Sequence, residues 1–231
     1  MNKIKGLWVI VPHRGVADGK SRLAGVLDAA ARRALNVWLL ERTLRVVQQA
    51  AGDQPRCLVV SPCADTLALA RAAGAQTLLE NTGVPSQSLN AALSQAAAHA
   101  ATLGAQRLLI LPADLPRLDA AALQAMLALP AHANANANDM VIAADRHGSG
   151  TNALWVSAAV RDFAFGKASY AQHAALAEAR GGRVLPCTHA ALAFDLDTPE
   201  DFALWARSGE PLPDFLAGAV RATEPVAGRV A

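Results

Sequence analysis

The sequence has few cysteines and no hydrophobic run long enough to cross a membrane. Its three cysteines, Cys57, Cys63 and Cys187, are odd in number and lack the C-x-x-C spacing of many zinc sites. This pattern predicts buried thiols in a reducing compartment rather than disulfides. No apolar run approaches the ~20 residues that a membrane helix needs, and the first residues lead into a strand pattern rather than the core of a signal peptide. We therefore expect a cytoplasmic protein without a membrane partner.

An excess of charge of one sign is also absent. The chain has 21 basic and 19 acidic side chains, which gives a formal charge of +2, and its aromatic content is 4%. No basic run alternates with aromatic residues as it does on many nucleic-acid-binding surfaces. We therefore expect small-molecule substrates and no nucleic-acid partner.

Hydrophobic residues are abundant, at 53% of the chain. Short runs of Val, Ile and Leu alternate with Ala-rich stretches, which is typical of an α/β domain with a mostly parallel sheet flanked by helices. The predicted strands are Leu7 to Val11, Cys57 to Val60, Gln76 to Leu79, Leu108 to Leu111, Met140 to Ala143, Ala153 to Val156, Arg183 to Pro186 and Ala193 to Leu196.

Helical periodicity predicts a long helix from about Asp28 to Ala50 and further helices over Ser88 to Leu103 and Ala120 to Leu129. Ser88 and Asp119 are suitable N-caps for the last two. The alternating Ala and Asn of residues 131 to 139 predict a solvated connector. Residues 1 to 208 then form a single domain, and the Pro-, Gly- and Ala-rich residues 209 to 231 form a loosely ordered tail.

The loop after the first predicted strand, Pro12 to Leu23, contains glycines and several cations, among them Arg14, Lys20 and Arg22. Ligands of open α/β sheets bind beyond the carboxyl ends of the strands. Backbone N–H groups together with Lys and Arg side chains can hold a polyphosphate there. The spacing is not that of a Walker A loop, and a solvated basic loop without a ligand is the alternative.

Two acidic segments are candidate metal sites. Asp114 follows the fourth predicted strand between Pro112 and Pro116, and a rigid carboxylate suits Mg²⁺ that bridges substrate phosphates. A turn or helix cap is the alternative for Asp114. Strand alternation places Asp195 and Asp197 on one face, so one of them can complete the site. In the same segment Thr198 and Asp201 have the spacing of a helix capping box, and both interpretations can hold together.

Small-residue loops are candidates for binding an anion. The run Gly148 to Leu154 combines two glycines with small polar residues, and Gly166 and Ser169 follow it closely enough to face the same ligand. His173 would share a helical face with Ser169 and could reach that anion. A packed structural histidine is the alternative.

Six short motifs occur in the order of a known family. They are Lys20-Ser21-Arg22-Leu23, Leu89-Asn90-Ala91-Ala92-Leu93, Pro112-Ala113-Asp114-Leu115-Pro116, Gly150-Thr151-Asn152-Ala153-Leu154, Phe165-Gly166-Lys167-Ala168-Ser169 with His173, and Asp195-Leu196-Asp197-Thr198-Pro199-Glu200-Asp201. From about Leu7 to Trp205 the chain resembles the 2-phospho-L-lactate guanylyltransferase family of coenzyme F-420 biosynthesis. Bacterial members of that family look like enzymes that act on phosphoenolpyruvate or 3-phospho-D-glycerate instead.

The resemblance implies a nucleotide-diphospho-sugar-transferase-like fold (GT-A, Rossmann-like) and a guanylyltransferase that moves GMP from GTP to a small phosphorylated acid, with Mg²⁺ as cofactor and release of pyrophosphate. The family's acceptor-binding positions map onto Thr151, Gly166 and Ser169, and we add Asn152 and His173 as candidate acceptor-binding residues. For this reaction we expect catalytic roles for Lys20, Arg22 and Asp114 and metal ligation by Asp114 and Asp197. The expected nucleotide-binding residues are Pro12, Arg14, Lys20, Ser21, Arg22 and Asn90.

One position departs from the family pattern, because Arg14 stands where the family usually has lysine. Arginine keeps the charge but presents a planar fork rather than a point donor. Two other functions remain open: a related nucleotidyltransferase, such as a molybdopterin guanylyl- or cytidylyltransferase, and a non-catalytic sensor of nucleotides or phospho-metabolites. The sequence does not select among the three acceptor acids. It leaves a homodimer open, and the product would pass to a downstream transferase.

Overall fold

The computed structural model describes residues 6 to 17, 19 to 51, 56 to 81, 89 to 133 and 135 to 219. Its strands are β1 (Leu7–Pro12), β2 (Arg56–Ser61), β3 (Gln76–Leu79), β4 (Arg107–Ile110), β5 (Met140–Ala144), β6 (Thr151–Ser157) and β7 (Val184–Cys187). Its α-helices are α1 (Ala29–Ala51), α2 (Ala64–Ala72), α3 (Leu89–Thr102), α4 (Ala120–His132), α5 (Ser169–Ala179), α6 (Ala190–Ala193) and α7 (Pro199–Ala206). None of the described helices is both long and apolar enough to cross a bilayer.

The strands form one seven-stranded sheet in the order β3-β2-β1-β4-β6-β5-β7. The pairs β1–β2, β2–β3, β1–β4 and β5–β7 are parallel. Strand β6 is antiparallel to both of its neighbours, β4 and β5. A short loop joins β5 to β6, and such a loop can only reverse the chain. The amino-terminal end of β6 therefore lies at the same sheet edge as the carboxyl ends of β1 and β4. The predicted mostly parallel α/β sheet is confirmed.

Each face of the sheet has its own core. On β1, Val9 and Val11 pack with one group of buried residues, and Trp8 and Ile10 pack with another. This is the alternation that a strand produces when both faces are covered. A third buried group joins the loop after β1 to the segment between Phe194 and Leu216. It consists of Leu23, Leu27, Leu35, Leu39, Phe194, Leu196, Phe202, Trp205 and Leu216.

The prediction of a strand at Ala193 to Leu196 is wrong. The segment begins as the short helix α6, where the His189 side chain accepts a hydrogen bond from the Ala191 backbone. The following residues are not paired in the sheet. Phe194 and Leu196 are buried in the third core group, while the aspartates that follow each of them are partly exposed. The alternating pattern is real, but it reflects packing against helices and not a strand ladder.

The connector before β5 is shorter than predicted. Helix α4 continues through Pro130 to His132, so the predicted end at Leu129 is three residues early. At the far end of the connector, the buried Asp139 carboxylate accepts hydrogen bonds from the backbones of Asn136 and Arg183. The segment is therefore anchored and not wholly solvated. Asp119 caps α4 through the Ala122 N–H, as predicted, whereas Ser88 lies outside the described residues.

Packing extends beyond residue 208, where the sequence predicted the domain to end. Glu210 forms an ion pair with Arg117 at 2.9 Å, and Leu216 is fully buried in the third core group. The chain around Leu216 forms a 3-10 helix, Asp214–Leu216. Residues 210 to 219 are therefore part of the packed structure, and residues 220 to 231 lie outside the described ranges.

Candidate active site

The polar residues singled out in the sequence meet at one edge of the sheet. Lys20 follows β1, Asp114 follows β4, Thr151 begins β6, and Asp197 precedes α7. The backbone N–H of Leu196 donates to the Asp114 carbonyl at 3.0 Å, which joins the two acidic segments directly. The topology thus assembles one site from four separate parts of the chain.

The loop after β1 is fixed by buried polar side chains. Thr66 Oγ1 accepts a hydrogen bond from the Val16 backbone at 3.2 Å, and Asn36 donates to the Val16 carbonyl at 3.1 Å. A Cβ atom at Gly19 would lie 2.7 Å from the Asn36 side-chain amide, so a larger residue there would displace this buried amide. The next residue, Lys20, adopts the left-handed conformation with φ of 59°. Such a conformation is uncommon for a residue with a side chain, and the pinned loop holds it.

The predicted nucleotide-binding residues of this loop differ in exposure. Pro12 is buried at the end of β1, whereas Arg14, Ser21 and Arg22 are exposed at the site edge. The neighbouring His13 was not predicted to have a role. Burial and the charge of Lys20 lower its pKa to about 4, so the imidazole is neutral at pH 7. Its Nδ1 atom is buried and has no hydrogen-bond partner within the described residues.

Three carboxylates lie close enough to influence one another. Lys20 Nζ contacts Asp197 Oδ1 at 2.7 Å. Burial raises the pKa of Asp114 to about 6; the charge of Lys20 opposes this, and those of Asp197 and Asp195 add to it. Burial and the charge of Asp197 also raise the pKa of Asp195. A partly buried group of three carboxylates with one ammonium carries more negative than positive charge.

Asp201 fixes the backbone that carries Asp197. Its carboxylate accepts hydrogen bonds from the backbone N–H groups of Asp197 and Thr198 at 2.9 and 2.7 Å, and Arg146 donates to its other oxygen. Burial by itself raises the pKa of Asp201. These hydrogen bonds outweigh that effect and hold the pKa below its usual range. Thr198 Oγ1 accepts from the Asp201 N–H, so the predicted capping box is confirmed. The contact from Arg146 was not predicted, because no local pattern links residues 55 positions apart.

The two predicted anion-binding loops are in contact. The Tyr170 N–H at the start of α5 donates to the Ser149 carbonyl at 3.1 Å, and Ser169 is buried beside it. Gly166 adopts φ of +132°, a conformation that side chains rarely allow. Thr151 Oγ1 lies 3.0 Å from Nδ1 of the buried His173. The structure therefore brings Thr151, Gly166, Ser169 and His173 to one side of the site.

Two predicted ligands have partners of their own. Asn90 donates to the Phe165 carbonyl at 3.0 Å and accepts from the Phe165 N–H at 2.8 Å. It therefore holds the loop that carries Gly166. Asn152 donates to the Leu192 carbonyl at 3.1 Å and lies 3.4 Å from Asp195 Oδ1. Direct substrate contacts by either side chain stay predictions.

The fold resembles that of proteins whose structures have been solved. A protein from Desulfovibrio desulfuricans, whose crystal structure is ascribed to a nucleotide-diphospho-sugar transferase, is similar with a TM-score of 0.67 and 15% identity, over 94% of this chain and 93% of its own. The chain therefore has a nucleotide-diphospho-sugar-transferase-like fold. This confirms the fold class expected from the sequence.

The sequence comparisons are more specific than the fold. The profile of the family described as "Guanylyl transferase CofC like" matches residues 7 to 210, and the chain belongs to this family. A phosphoenolpyruvate guanylyltransferase from Rubrobacter xylanophilus is 37% identical over 88% of this chain and 95% of its own. A 3-phospho-D-glycerate guanylyltransferase from Phenylobacterium zucineum is 36% identical over 86% of this chain and 88% of its own. The resemblance noted from the motifs is confirmed.

Proposed function

We propose that this protein transfers GMP from GTP to a small phosphorylated three-carbon acid, either phosphoenolpyruvate or 3-phospho-D-glycerate, and releases pyrophosphate. Family membership supports guanylyl transfer, and the names of the relatives support these two acids. The observation that carries the proposal is the meeting of Lys20, Asp114 and Asp197 beside the loops of Thr151 and Ser169. One half suits a triphosphate with a metal ion, and the other suits a small anion.

The reaction needs no nucleophilic side chain. A phosphate oxygen of the acceptor attacks the α-phosphorus of GTP in line, a new P–O bond forms, and the bond to pyrophosphate breaks. The second pKa of a phosphate monoester is near ~6, so the acceptor is already largely dianionic at neutral pH. What the site must supply is alignment of the two substrates and compensation of their negative charges.

The carboxylate group fits a magnesium ion. Asp114 and Asp197 offer oxygen ligands, and burial, with a smaller contribution from the neighbouring carboxylates, raises the pKa values of Asp114 and Asp195. A bound cation would favour the ionised form of these groups. Mg²⁺ typically takes one or two protein carboxylates and completes its coordination with water and phosphate. When bound, it would offset the repulsion between the triphosphate and the acceptor phosphate.

The protein's own groups then divide the work. Lys20 and Arg22 would neutralise charge on the triphosphate, and Arg14, Ser21 and Pro12 border the same loop. Thr151, with the backbone near Gly166 and Ser169, would bind the carboxylate or phosphate of the acceptor. Asn90 would act indirectly through the loop of Phe165. Its side-chain amide donates to the Phe165 carbonyl and accepts from the Phe165 N–H.

Pyrophosphate release tests the proposal. The protein is mixed with GTP and Mg²⁺ and then separately with phosphoenolpyruvate, 3-phospho-D-glycerate and 2-phospho-L-lactate. We expect release with at least one of the first two acids and a guanylylated product detectable by mass spectrometry. Replacement of GTP by CTP tests the cytidylyltransferase alternative. A protein that binds GTP but releases no pyrophosphate with any of the acids would instead be a sensor.

The setting of the reaction is also a proposal. The free thiols Cys57, Cys63 and Cys187 agree with a reducing compartment, so we place the enzyme in the cytoplasm. The product contains a phosphoanhydride bond between GMP and the acid. Such a bond is an activated linkage, and a downstream transferase of coenzyme F-420 biosynthesis would use it.

A further inference from the structure

A buried histidine contacts the hydroxyl that is expected to meet the acceptor. His173 is 1% exposed, Thr151 is 7% exposed, and Nδ1 of the ring lies 3.0 Å from Thr151 Oγ1. Either atom could be the donor if only this contact existed. The second ring nitrogen removes the ambiguity.

The backbone fixes the tautomer of His173. The Ala164 N–H points at Nε2 at 3.1 Å, and a backbone amide can only donate. Nε2 must therefore accept, which leaves the proton of the neutral ring on Nδ1. Burial lowers the pKa of His173 to about 4, so the ring is neutral at pH 7. The Nδ1–H group then donates to Thr151 Oγ1.

This direction of donation decides what Thr151 can bind. The hydroxyl oxygen accepts from His173, so its own hydrogen is free to point elsewhere. Within the described part of the chain, the Thr151 hydroxyl makes a hydrogen bond with His173 and with no other group. A hydroxyl hydrogen that is free to donate bonds most strongly to an ionised acceptor, such as a carboxylate or phosphate oxygen.

We propose that His173 is a positioning residue for the acceptor, whose Nδ1–H tautomer makes Thr151 a hydrogen-bond donor to an anionic oxygen of the substrate. The proposal rests on the proposed function for the identity of that substrate. The same ring also supports the loop of Gly166. It receives the Ala164 N–H, and it packs edge-on against Phe165 with ring centroids 4.8 Å apart.

The tautomer can be measured without any substrate. Nitrogen-15 and carbon-13 shifts of histidine side chains distinguish Nδ1–H, Nε2–H and imidazolium forms, and a His173→Asn variant assigns the signal among the six histidines. We expect the Nδ1–H form at pH 7. An Nε2–H form or an imidazolium would overturn the proposal, whatever the enzyme catalyses.

Two amide substitutions separate positioning from packing. In His173→Asn the amide N–H can take the place of Nδ1–H, whereas in His173→Gln the amide oxygen can reach the place of Nε2. We expect His173→Asn to raise the acceptor KM less than His173→Gln does, because Asn keeps a donor toward Thr151 although it loses the acceptor for the Ala164 N–H. We expect His173→Gln to raise the acceptor KM on the order of tenfold with little change in the KM for GTP, which matches the loss of one hydrogen bond to an ionised group.

Thr151→Val completes the test. If the hydrogen bond from His173 acts through Thr151, then His173→Gln added to Thr151→Val should raise the acceptor KM no further. Equal effects of His173→Asn and His173→Gln, or additive effects with Thr151→Val, would leave only a packing role and reject the proposal. Absence of transfer by the wild type would reject the proposed function, while the tautomer measurement would still decide the state of His173.

Discussion

The ammonium of Lys20 lies 2.7 Å from Asp197 Oδ1, across 177 residues of sequence. The pair joins the loop after β1 to the segment before α7 and spans the space between the proposed nucleotide and metal ligands. Lys20 is 9% exposed in this arrangement, whereas Asp197 is 42% exposed. A triphosphate that binds here competes with Asp197 for the ammonium, and a cation competes with the ammonium for Asp197. The ion pair is thus suited to join the loop after β1 to the segment before α7, and to exchange partners when substrates bind.

Substitution of Lys20 should affect turnover more than stability. Lys20→Met removes the cation that we propose faces the triphosphate, and we expect kcat/KM for GTP to fall at least 100-fold, about 2.7 kcal/mol of transition-state stabilisation. The free energy of unfolding should change by about 1 kcal/mol or less, because an ion pair with a partly exposed partner contributes little. Pyrophosphate release and thermal unfolding measure the two quantities.

Two variants control this experiment. Lys20→Arg keeps the charge but not the point-donor geometry, so we expect partial activity. Arg45→Met removes a cation from the exposed surface of α1 and should leave turnover unchanged. Wild-type activity in Lys20→Met would refute the role of the ammonium.

Asp114→Asn should lose activity and gain stability when no metal is present. The folded protein holds the pKa of Asp114 near 6 against an ordinary value of 3.8, so the native state binds more protons than the unfolded state between these values. Stability therefore falls as the pH rises from about 4 to about 6. Above pH 7 the amide removes this cost, and we expect about 1 to 3 kcal/mol of stabilisation.

The matched control is Asp162→Asn, an exchange of the same kind at an exposed carboxylate beyond the opposite end of β6. Unfolding is followed at pH 8 and pH 4 without metal. The gain from Asp114→Asn should be present at pH 8 and shrink at pH 4, where Asp114 is already protonated. A gain of equal size at both values would show that charge is not its cause.

Much of the fold follows from local patterns, and the exceptions have identifiable causes. The strands with buried runs and the capping box of Thr198 and Asp201 were predicted, because short-range sequence determines them. The segment Ala193 to Leu196 has the alternation of a strand, but its two apolar residues pack against α1 and α7. Periodicity alone does not distinguish a strand from an extended segment that is buried on one side.

Residues that directly follow strands could be predicted to lie at the site. Side chains that contact the site loops from distant parts of the sequence could not. The structure brings Asp114 and Lys20 together, as expected, because the carboxyl ends of parallel strands meet at one edge of the sheet. Asn36, Thr66 and Arg146 were missed, since each fixes a site loop from a distant helix or hairpin. The hydrogen bonds from Asn90 to Phe165 were not foreseen either, and the nucleotide-binding role of Asn90 stays a prediction. Such partners depend on tertiary packing.

Asn90→Ala should therefore affect the acceptor and not the nucleotide. Loss of both hydrogen bonds to Phe165 removes part of the side-chain support of the Gly166 loop, to which His173 also contributes. We expect the acceptor KM to rise several-fold to tenfold and the KM for GTP to change less than twofold, with about 1 to 3 kcal/mol of lost stability. Initial rates with each substrate varied in turn measure the split. A selective rise in the KM for GTP would favour the nucleotide role predicted from the sequence.

Asp201→Asn should weaken the proposed Mg²⁺ site without removing a proposed ligand. Asp201 holds the N–H groups of Asp197 and Thr198 with one oxygen and Arg146 with the other. An amide in its place turns an NH₂ group toward one of these donors, so the Asp197 backbone loses its fixed position. We expect about 1 to 3 kcal/mol of lost stability and a severalfold higher Mg²⁺ concentration for half-maximal rate.

Thr198→Ala is the matched control, because it removes the other half of the capping box and leaves the bond from Asp197 to Asp201. It should cost about 1 kcal/mol of stability and leave the Mg²⁺ requirement nearly unchanged. Equal Mg²⁺ requirements in the two variants would mean that Asp201 supports only the helix and not the position of Asp197.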